Sequence, residues 1–306
     1  MKSEAQIKLG FVGIGTMGAP MVRCLVKAGY RPMLLDANPD AARAVAQEAA
    51  LGVATSAEDL GGACDIVILM LPTSAIVHNV CMGSGDGKSG LAAGLSAGTI
   101  IVDMSSSDPV ETRKLGALLK ERGIRLIDAP VSGGVRKAVA GTLAIMLGSD
   151  DEDAVAPVTH VLEAMGTVYR TGPLASGHAS KALNNYVSAA GLAAACEAVI
   201  VGAKFGLDPE TLINVINAST GRNNSTENKL VQFILSGEFT KAGFALDLMA
   251  KDVGLAASLS DALELDLPGL REARRLWSEA SGKLQGGADH TEIYRYLESA
   301  AETNDA

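Results

Sequence analysis

Between residues 7 and about 169, short apolar runs (IKLGFVG, PMLLD, CDIVILMLP, TIIVDMS, IRLIDAP and TLAIMLG) alternate with Ala-rich or charged stretches of helical spacing. Few architectures satisfy that rhythm. Strands that are apolar at nearly every position are buried on both faces, and such strands lie in mainly parallel sheets covered by helices. After residue 172 the strand signals stop, and stretches with helical spacing continue to about residue 299. The expected architecture is α/β: a mainly parallel sheet domain over residues 1–172, then an all-helical domain over residues 173–306.

The first helical stretch, about 174–205, is rich in Ala and Gly, so other helices can approach it closely. It is read as the spine of the second domain. Breaks are expected at 206–209, 221–224, 237–243 and Pro268, where Gly, Pro and Asn punctuate the pattern. The uncharged run 182–196 is shorter than the roughly 20 apolar residues a membrane span needs, and it contains Asn184, Asn185, Tyr186 and Ser188. It reads as a buried helix.

Hydrophobic residues make up 48% of the chain and charged ones 20%, a composition that supports a core and excludes disorder. Only the last residues, from about Glu302, are expected to fray. A net charge of −9 offers no basic footprint for nucleic acid or an anionic membrane, so an anionic substrate must be held by a local site. Cys24, Cys64, Cys81 and Cys196 lack CxxC spacing and sit among apolar or small residues, which reads as reduced core packing. The start also lacks the long apolar stretch of a signal peptide, so a cytoplasmic location is expected. His78, His160 and His290 are scattered and no HExxH is present, so no metal site is expected.

The strand signal at 7–12 runs into Gly13, Ile14, Gly15, Thr16, Met17 and Gly18, followed by the helical pattern APMVRCLVKAG. This is GxGxxG between a strand and a helix, the context its chemistry requires. Gly13 permits the tight turn, Gly15 lets the backbone approach a pyrophosphate, and Gly18 lets the helix pack on the strand. About twenty residues on, the second strand ends in Asp36, where an acid binds the adenosine ribose hydroxyls. NAD is expected over NADP, because Asp36 repels a 2′-phosphate and Ala37 and Asn38 supply no Arg to receive one. The competing role for Asp36 is to cap the following helix.

Three further motifs follow: DAPVSGG, TGPLASGHASKALNN and FALDLMAKDVGLA. Taken in order with GIGTMG, they resemble the β-hydroxyacid dehydrogenase family, which includes 3-hydroxyisobutyrate dehydrogenases and tartronate semialdehyde reductases. The resemblance spans nearly the whole chain. It implies a Rossmann-like N-terminal domain, a 6-phosphogluconate dehydrogenase-like helical C-terminal domain that binds substrate and a partner subunit, an active site between the domains, and homodimers or homotetramers. It also assigns roles. Ser132, Gly133 and Gly134 bind substrate, Lys181 and Asn185 carry the chemistry, and Lys251 lies by the nicotinamide end of the cofactor. Leu71, Pro72 and Ser106 match further cofactor-contacting positions. The chain departs from the family where its usual Gly is Ala175 and its common Gln is His178, although Gly177, Lys181 and Asn185 stay in phase.

The residues fit the chemistry. Removing a hydride from an alcohol carbon requires that the hydroxyl proton leave too, and a positioned base takes it. An ordinary Lys has a pKa of about 10.4, so Lys181 needs desolvation or a nearby positive charge to act near neutrality, and an apolar run follows it. Residues four apart share a helix face, which places Asn185 beside Lys181. His178, one turn earlier, ranks second as a base and is read as a packing residue. Ser132 and the N–H groups of Gly133 and Gly134 make an anion-binding concavity suited to a carboxylate. Asp128 reads as a structural hydrogen-bonding residue, and Asp252 is left without a role.

The segment NASTGRNNSTENK is expected, from the resemblance, to face the nicotinamide. Asn223 and Asn224 stand there where 3-hydroxyisobutyrate enzymes tend to carry an aromatic residue after Gly-Arg. The expected substrate is accordingly a β-hydroxy acid more polar than 3-hydroxyisobutyrate, bearing an extra hydroxyl or a second acidic group. An imine reductase-like enzyme and a non-catalytic NAD-binding protein are the competing functions.

Overall fold

The computed structural model describes residues 7–85, 87–284 and 286–302, so most of the tail expected to fray lies outside the described residues. The chain divides into two compact units, Met1–Lys181 and Ala182–Ala306.

The first unit runs β1 (Leu9–Val12), α1 (Gly18–Lys27), β2 (Met33–Leu35), α2 (Pro39–Ala49), α3 (Ala57–Ala63), β3 (Ile66–Leu69) and α4 (Ser74–Met82). A small hairpin, β4 (Gly83–Ser84) and β5 (Lys88–Ser89), and α5 (Leu91–Gly94) lead to β6 (Ile100–Asp103), α6 (Pro109–Lys120) and β7 (Arg125–Asp128). β8 (Val131–Ser132), α7 (Gly134–Ala140), β9 (Leu143–Gly148), α8 (Glu152–Glu163) and β10 (Gly166–Gly172) complete it, together with the first turns of α9 (Ser176–Phe205). All six expected strands form. They lie in a sheet of order β10-β9-β7-β6-β3-β1-β2, with β8 paired on β9. Pairing is parallel from β2 through β7, antiparallel between β7 and β9, and parallel again between β9 and β10.

Alternate residues of each strand serve opposite faces. Phe11, Ile68, Val102 and Ile127 join α1, α2 and α8 in one core, whereas Val12, Leu69, Ile101 and Leu126 join α3, α5 and α6 in another. The sheet is thus buried on both sides, which is why its strands read as continuous apolar runs. β8 and β10 gave no such signal, because β8 spans two residues and β10 is an edge strand, GTVYRTG, whose residues are mostly accessible.

The second unit contains the rest of α9, then α10 (Pro209–Asn217), α11 (Asn224–Asn228), a π-helical turn (Leu230–Leu235) and a 3₁₀ turn (Phe239–Lys241). α12 (Leu246–Ala262), α13 (Pro268–Lys283), a second 3₁₀ turn (His290–Glu292) and α14 (Ile293–Glu302) follow. Every expected break is present. One more falls between α13 and the second 3₁₀ turn, where Asp289 bridges to Ala245 and its carboxylate accepts from the backbone N–H groups of Gly243 and Phe244. By length and composition α9 could cross a membrane, but Ala189, Leu192, Cys196 and Val199 on it belong to the core around Trp277 and Val253.

The units divide inside α9, later than the expected 172/173 boundary, because β7 grips the start of this helix. Asp128, at the end of β7, accepts hydrogen bonds from the backbone N–H groups of Ala175 (2.7 Å) and His178 (2.8 Å). Gly177 makes the approach possible: a Cβ there would lie 2.1 Å from the Met146 carbonyl oxygen and 2.8 Å from Asp128 Oδ2. Both obstacles are fixed groups, so Gly177→Ala is expected to destabilise the protein by about 1–3 kcal/mol. A Tm within a degree or so of wild type in thermal unfolding would refute this account of the helix start.

Candidate active site

The glycine turn sits where the sheet changes direction. From β1 the chain steps to β2 on one side, and β3 then docks on the other, so the C-terminal ends of β1 and β3 flank a switch point of the kind at which open α/β sheets bind ligands. Gly13 has φ +97°, and a Cβ on it would sit 2.2 Å from the Met70 carbonyl oxygen. A Cβ on Gly18 would sit 1.9 Å from the carbonyl oxygen of Gly13. These two glycines close the turn against β3 and against itself. Gly15 differs, because nothing lies within 4 Å of its Cβ position, and both it and Thr16 are exposed. A pyrophosphate can therefore approach the backbone at Gly15, and the N-cap, Met17, places no side-chain hydrogen bond across the first turn of α1. The residues present fit a dinucleotide.

Asp36 stands beside this turn. Its Oδ2 accepts from the Ile14 N–H at 2.6 Å and its Oδ1 from the Asn38 N–H at 2.7 Å. The helix-capping role considered for Asp36 belongs instead to Asn38, whose side chain accepts from the Asp40 N–H and starts α2. Leu71 and Pro72 follow β3, and the Leu71 N–H donates to Ser105 Oγ at 2.9 Å, which ties the turn after β3 to the turn after β6. Of the serines in that second turn, Ser105 and Ser107 are buried and Ser106 is partly accessible. Ser105 and Asp103 were missed in the sequence: Asp103 accepts from the Ser105 N–H (3.0 Å) and the Ser107 hydroxyl (2.7 Å) and so shapes the turn. An acid ending a third apolar strand was the available signal.

Ser132 ends β8 half-buried, paired opposite Ala144. Gly133 (φ +133°) and Gly134 (φ +64°) then turn the chain into α7 with both residues exposed. Lys181 is 9% exposed, one turn before Asn185 (6%) along α9.

In the second unit Asn185 Nδ2 donates to Asp252 Oδ2 at 2.5 Å. A carboxylate only accepts, so this bond fixes the amide: Oδ1 points the other way and accepts from Asn184 Nδ2 at 3.0 Å. Asp252 thereby gains a role. It is buried on α12, and Lys251 Nζ lies 3.3 Å from its Oδ1, so the Lys–Asp pair is no surface decoration. Asn223 corrects the reading of its segment. Its Oδ1 accepts from the Ser225 and Thr226 N–H groups in a capping box that starts α11, and its Nδ2 donates to the Gly191 carbonyl at 3.4 Å. The polarity inferred from Asn223 is spent on structure, which leaves Arg222 and Asn224, both exposed.

No thiol competes for a chemical role. All four cysteines are buried and unpaired; burial pushes the Cys64 thiol up to about 11 and that of Cys196 up to about 12, and it raises those of Cys24 and Cys81 as well. Among the described residues no group of His, Cys, Asp and Glu is placed to hold a metal ion.

Residues 8–172 match the profile of the NAD binding domain of 6-phosphogluconate dehydrogenase, and residues 175–297 match that of the NAD-binding region of NADP-dependent 3-hydroxyisobutyrate dehydrogenase. The chain is 38% identical over 299 residues to 2-(hydroxymethyl)glutarate dehydrogenase of Eubacterium barkeri, covering 96% of each. It is 34% identical over 267 residues to the NAD-dependent L-serine dehydrogenase of Pseudomonas aeruginosa, covering 85% of this chain and 88% of that one. The solved structure of Mycobacterium tuberculosis 3-hydroxyisobutyrate dehydrogenase with L-serine superposes with a TM-score of 0.85 at 31% identity, over 95% of this chain and 99% of that one. The chain belongs to the β-hydroxyacid dehydrogenase family. It is an NAD-using oxidoreductase of small hydroxy acids.

The glycines allow folding and cofactor binding to be separated. Gly15→Ala is expected to keep the wild-type Tm and lose NADH binding about tenfold or more, whereas Gly18→Ala is expected to lose about 1–3 kcal/mol of stability as well. NADH fluorescence titration beside thermal unfolding checks both, and unchanged NADH affinity in Gly15→Ala would remove the open face from the cofactor site.

Proposed function

We propose that this enzyme oxidises the primary alcohol of a 2-substituted 3-hydroxypropanoate carrying a second acidic group, with Lys181 as the proton-transfer residue. The observation that carries the proposal is a buried Lys one turn before an Asn whose amide orientation a buried carboxylate fixes.

3-Hydroxyisobutyrate, L-serine and 2-(hydroxymethyl)glutarate share one skeleton, HOCH₂–CH(R)–COO⁻, with R a methyl, an ammonium or a carboxyethyl group. The common end dictates common chemistry. When bound, NAD supplies the hydride acceptor. The Lys181 amine takes the hydroxyl proton as the carbonyl forms, Asn185 orients the hydroxyl, and Ser132 with the Gly133 and Gly134 N–H groups holds the carboxylate. Lys251 flanks the nicotinamide end of the cofactor. Asp36 favours NAD over NADP, since its carboxylate, already beside the turn, opposes a 2′-phosphate. Selectivity for R is assigned to Arg222 and Asn224: an exposed guanidinium suits a second carboxylate, and the 38% identical relative is named for such a diacid. Assembly as a homodimer or homotetramer draws support from an exposed apolar stripe on α9 that includes Leu183, Val187, Val201 and Phe205.

Lys181→Ala is expected to lower kcat by about 10²–10⁴-fold while NADH still binds, as measured by steady-state assay and fluorescence titration; near-wild-type turnover would sink the assignment. Across a panel of 3-hydroxypropanoates, 2-(hydroxymethyl)glutarate is expected to exceed 3-hydroxyisobutyrate in kcat/KM by about tenfold or more, and Arg222→Ala should erase that advantage. A preference for 3-hydroxyisobutyrate would reverse the substrate proposal. With the preferred acid, kcat/KM for NAD should exceed that for NADP, and Asp36→Ala should narrow the ratio; a wild-type preference for NADP would overturn the role given to Asp36.

A further inference from the structure

His178, which the chemistry above leaves unused, is a deeply buried titratable side chain, and its ring is turned away from solvent. Its Nδ1 lies 2.8 Å from Thr112 Oγ1 and 3.8 Å from Asp128 Oδ2; its Nε2, which has no hydrogen-bond partner among the described residues, lies 3.7 Å from Asp103 Oδ2. We propose that His178 is a positioning residue for Lys181, its ring held between Asp103, Asp128 and Thr112 so that it ties the first turn of α9 to the ends of β6 and β7 and to α6. The proposal rests on the reading of Lys181 as the proton-transfer residue.

The protons can be placed by what each partner accepts. Thr112 Oγ1 lies 2.9 Å from the Asp108 carbonyl, a pure acceptor, so the hydroxyl hydrogen goes there and a lone pair is left facing Nδ1. Nδ1 therefore carries a proton. Nε2 faces the Asp103 carboxylate at the other end of the ring. Each carboxylate is fixed by its own donors, the Ser105 N–H and Ser107 hydroxyl on Asp103 and the Ala175 and His178 N–H groups on Asp128. Burial pushes the Asp128 carboxyl up, and the His178 charge and the two backbone N–H groups oppose that rise. The ring fills the space between the two strand-end carboxylates, and its bond to Thr112 adds α6 to the elements that fix the helix start.

The remaining groups around this cluster are weakly disposed to replace it. From α4 come the Cys81 thiol, kept protonated by burial and by the charge of Asp103, and His78; from α6 come Thr112 and Glu111. His78, Glu111, Asp103 and Thr112 line a small cavity with room for about one water, through which the buried cluster can exchange protons with solvent. Lys181 follows three residues on along α9.

His178→Gln, whose amide nitrogen can keep the bond to Thr112 Oγ1, is expected to retain most of the wild-type kcat. His178→Ala should lower kcat by about 10–100-fold, the loss that a misplaced catalytic group brings, with NADH affinity within about twofold of wild type. Ring ¹⁵N NMR of the wild-type enzyme needs no variant to fold, and it should show a protonated Nδ1. A bare Nδ1, wild-type kcat in His178→Ala, or a His178→Gln enzyme no more active than His178→Ala overturns the proposal. Wild-type turnover in Lys181→Ala instead overturns the reading beneath it, while leaving the His178 spectrum unchanged.

Discussion

The carboxylate of Asp128 holds the start of the longest helix, and much of the first unit is arranged around that grip. It closes two N–H groups at the first turn of α9 that no earlier residue of the helix can satisfy, and its negative charge sits at the positive end of the helix dipole. Space for it is made by omission: a Cβ on Gly148 would lie 2.5 Å from Asp128 Oδ1, and one on Gly177 would meet Oδ2. The grip also accounts for a strained residue. Ala175 has φ +76°, a conformation that glycine adopts freely and alanine does not, and its N–H is one of the two that Asp128 binds.

The sheet sets the remaining geometry. β1, β2, β3 and β6 each hand the chain to a turn at their C-terminal ends, and those turns are bonded to one another: Gly13 N–H to the Leu35 carbonyl, Ile14 N–H to Asp36, Leu71 N–H to Ser105. A cofactor-binding surface made this way inherits the rigidity of a strand register buried on both faces. Loop residues on such a surface are positioned by backbone bonds rather than by their own packing, which is why Gly15 and Thr16 can remain exposed and still be well placed.

What the sequence disclosed and what it hid divide along a physical line. Local chemistry was legible: strands buried on both faces announce themselves as apolar runs, and GIGTMG and DAPVSGG carry their backbone requirements in their glycines. Edge strand β10 was not, since one exposed face and a two-residue alternation interrupted by Thr and Arg leave little hydrophobic signal. Partnerships between distant side chains were also hidden. Asn223 reads as a polar group for a ligand until its amide is seen capping α11, and Asp252 has no role until it is seen buried against Asn185. His178 differs from both, because its type was noticed, but its meaning depends on Asp103 and Asp128, each at the end of a different strand.

The groups assigned to the shared chemistry and those assigned to substrate choice are held in different ways, and this bears on how such a scaffold changes its substrate. Lys181, Asn185 and Asp252 are buried, and Asn185 and Asp252 are locked to each other, so replacing one strands a polar partner in a place without water. Arg222 and Asn224 are exposed, and the Arg222 guanidinium faces Glu227 at 3.7 Å. Substitutions there remove little that the fold depends on, because exposed positions outside caps and cores usually shift stability by about 0.5 kcal/mol or less. On these assignments the alcohol can thus be served by a fixed set of buried groups while R is read by residues that are free to vary, with Asn223 the exception in the segment, held in place by the helix it caps.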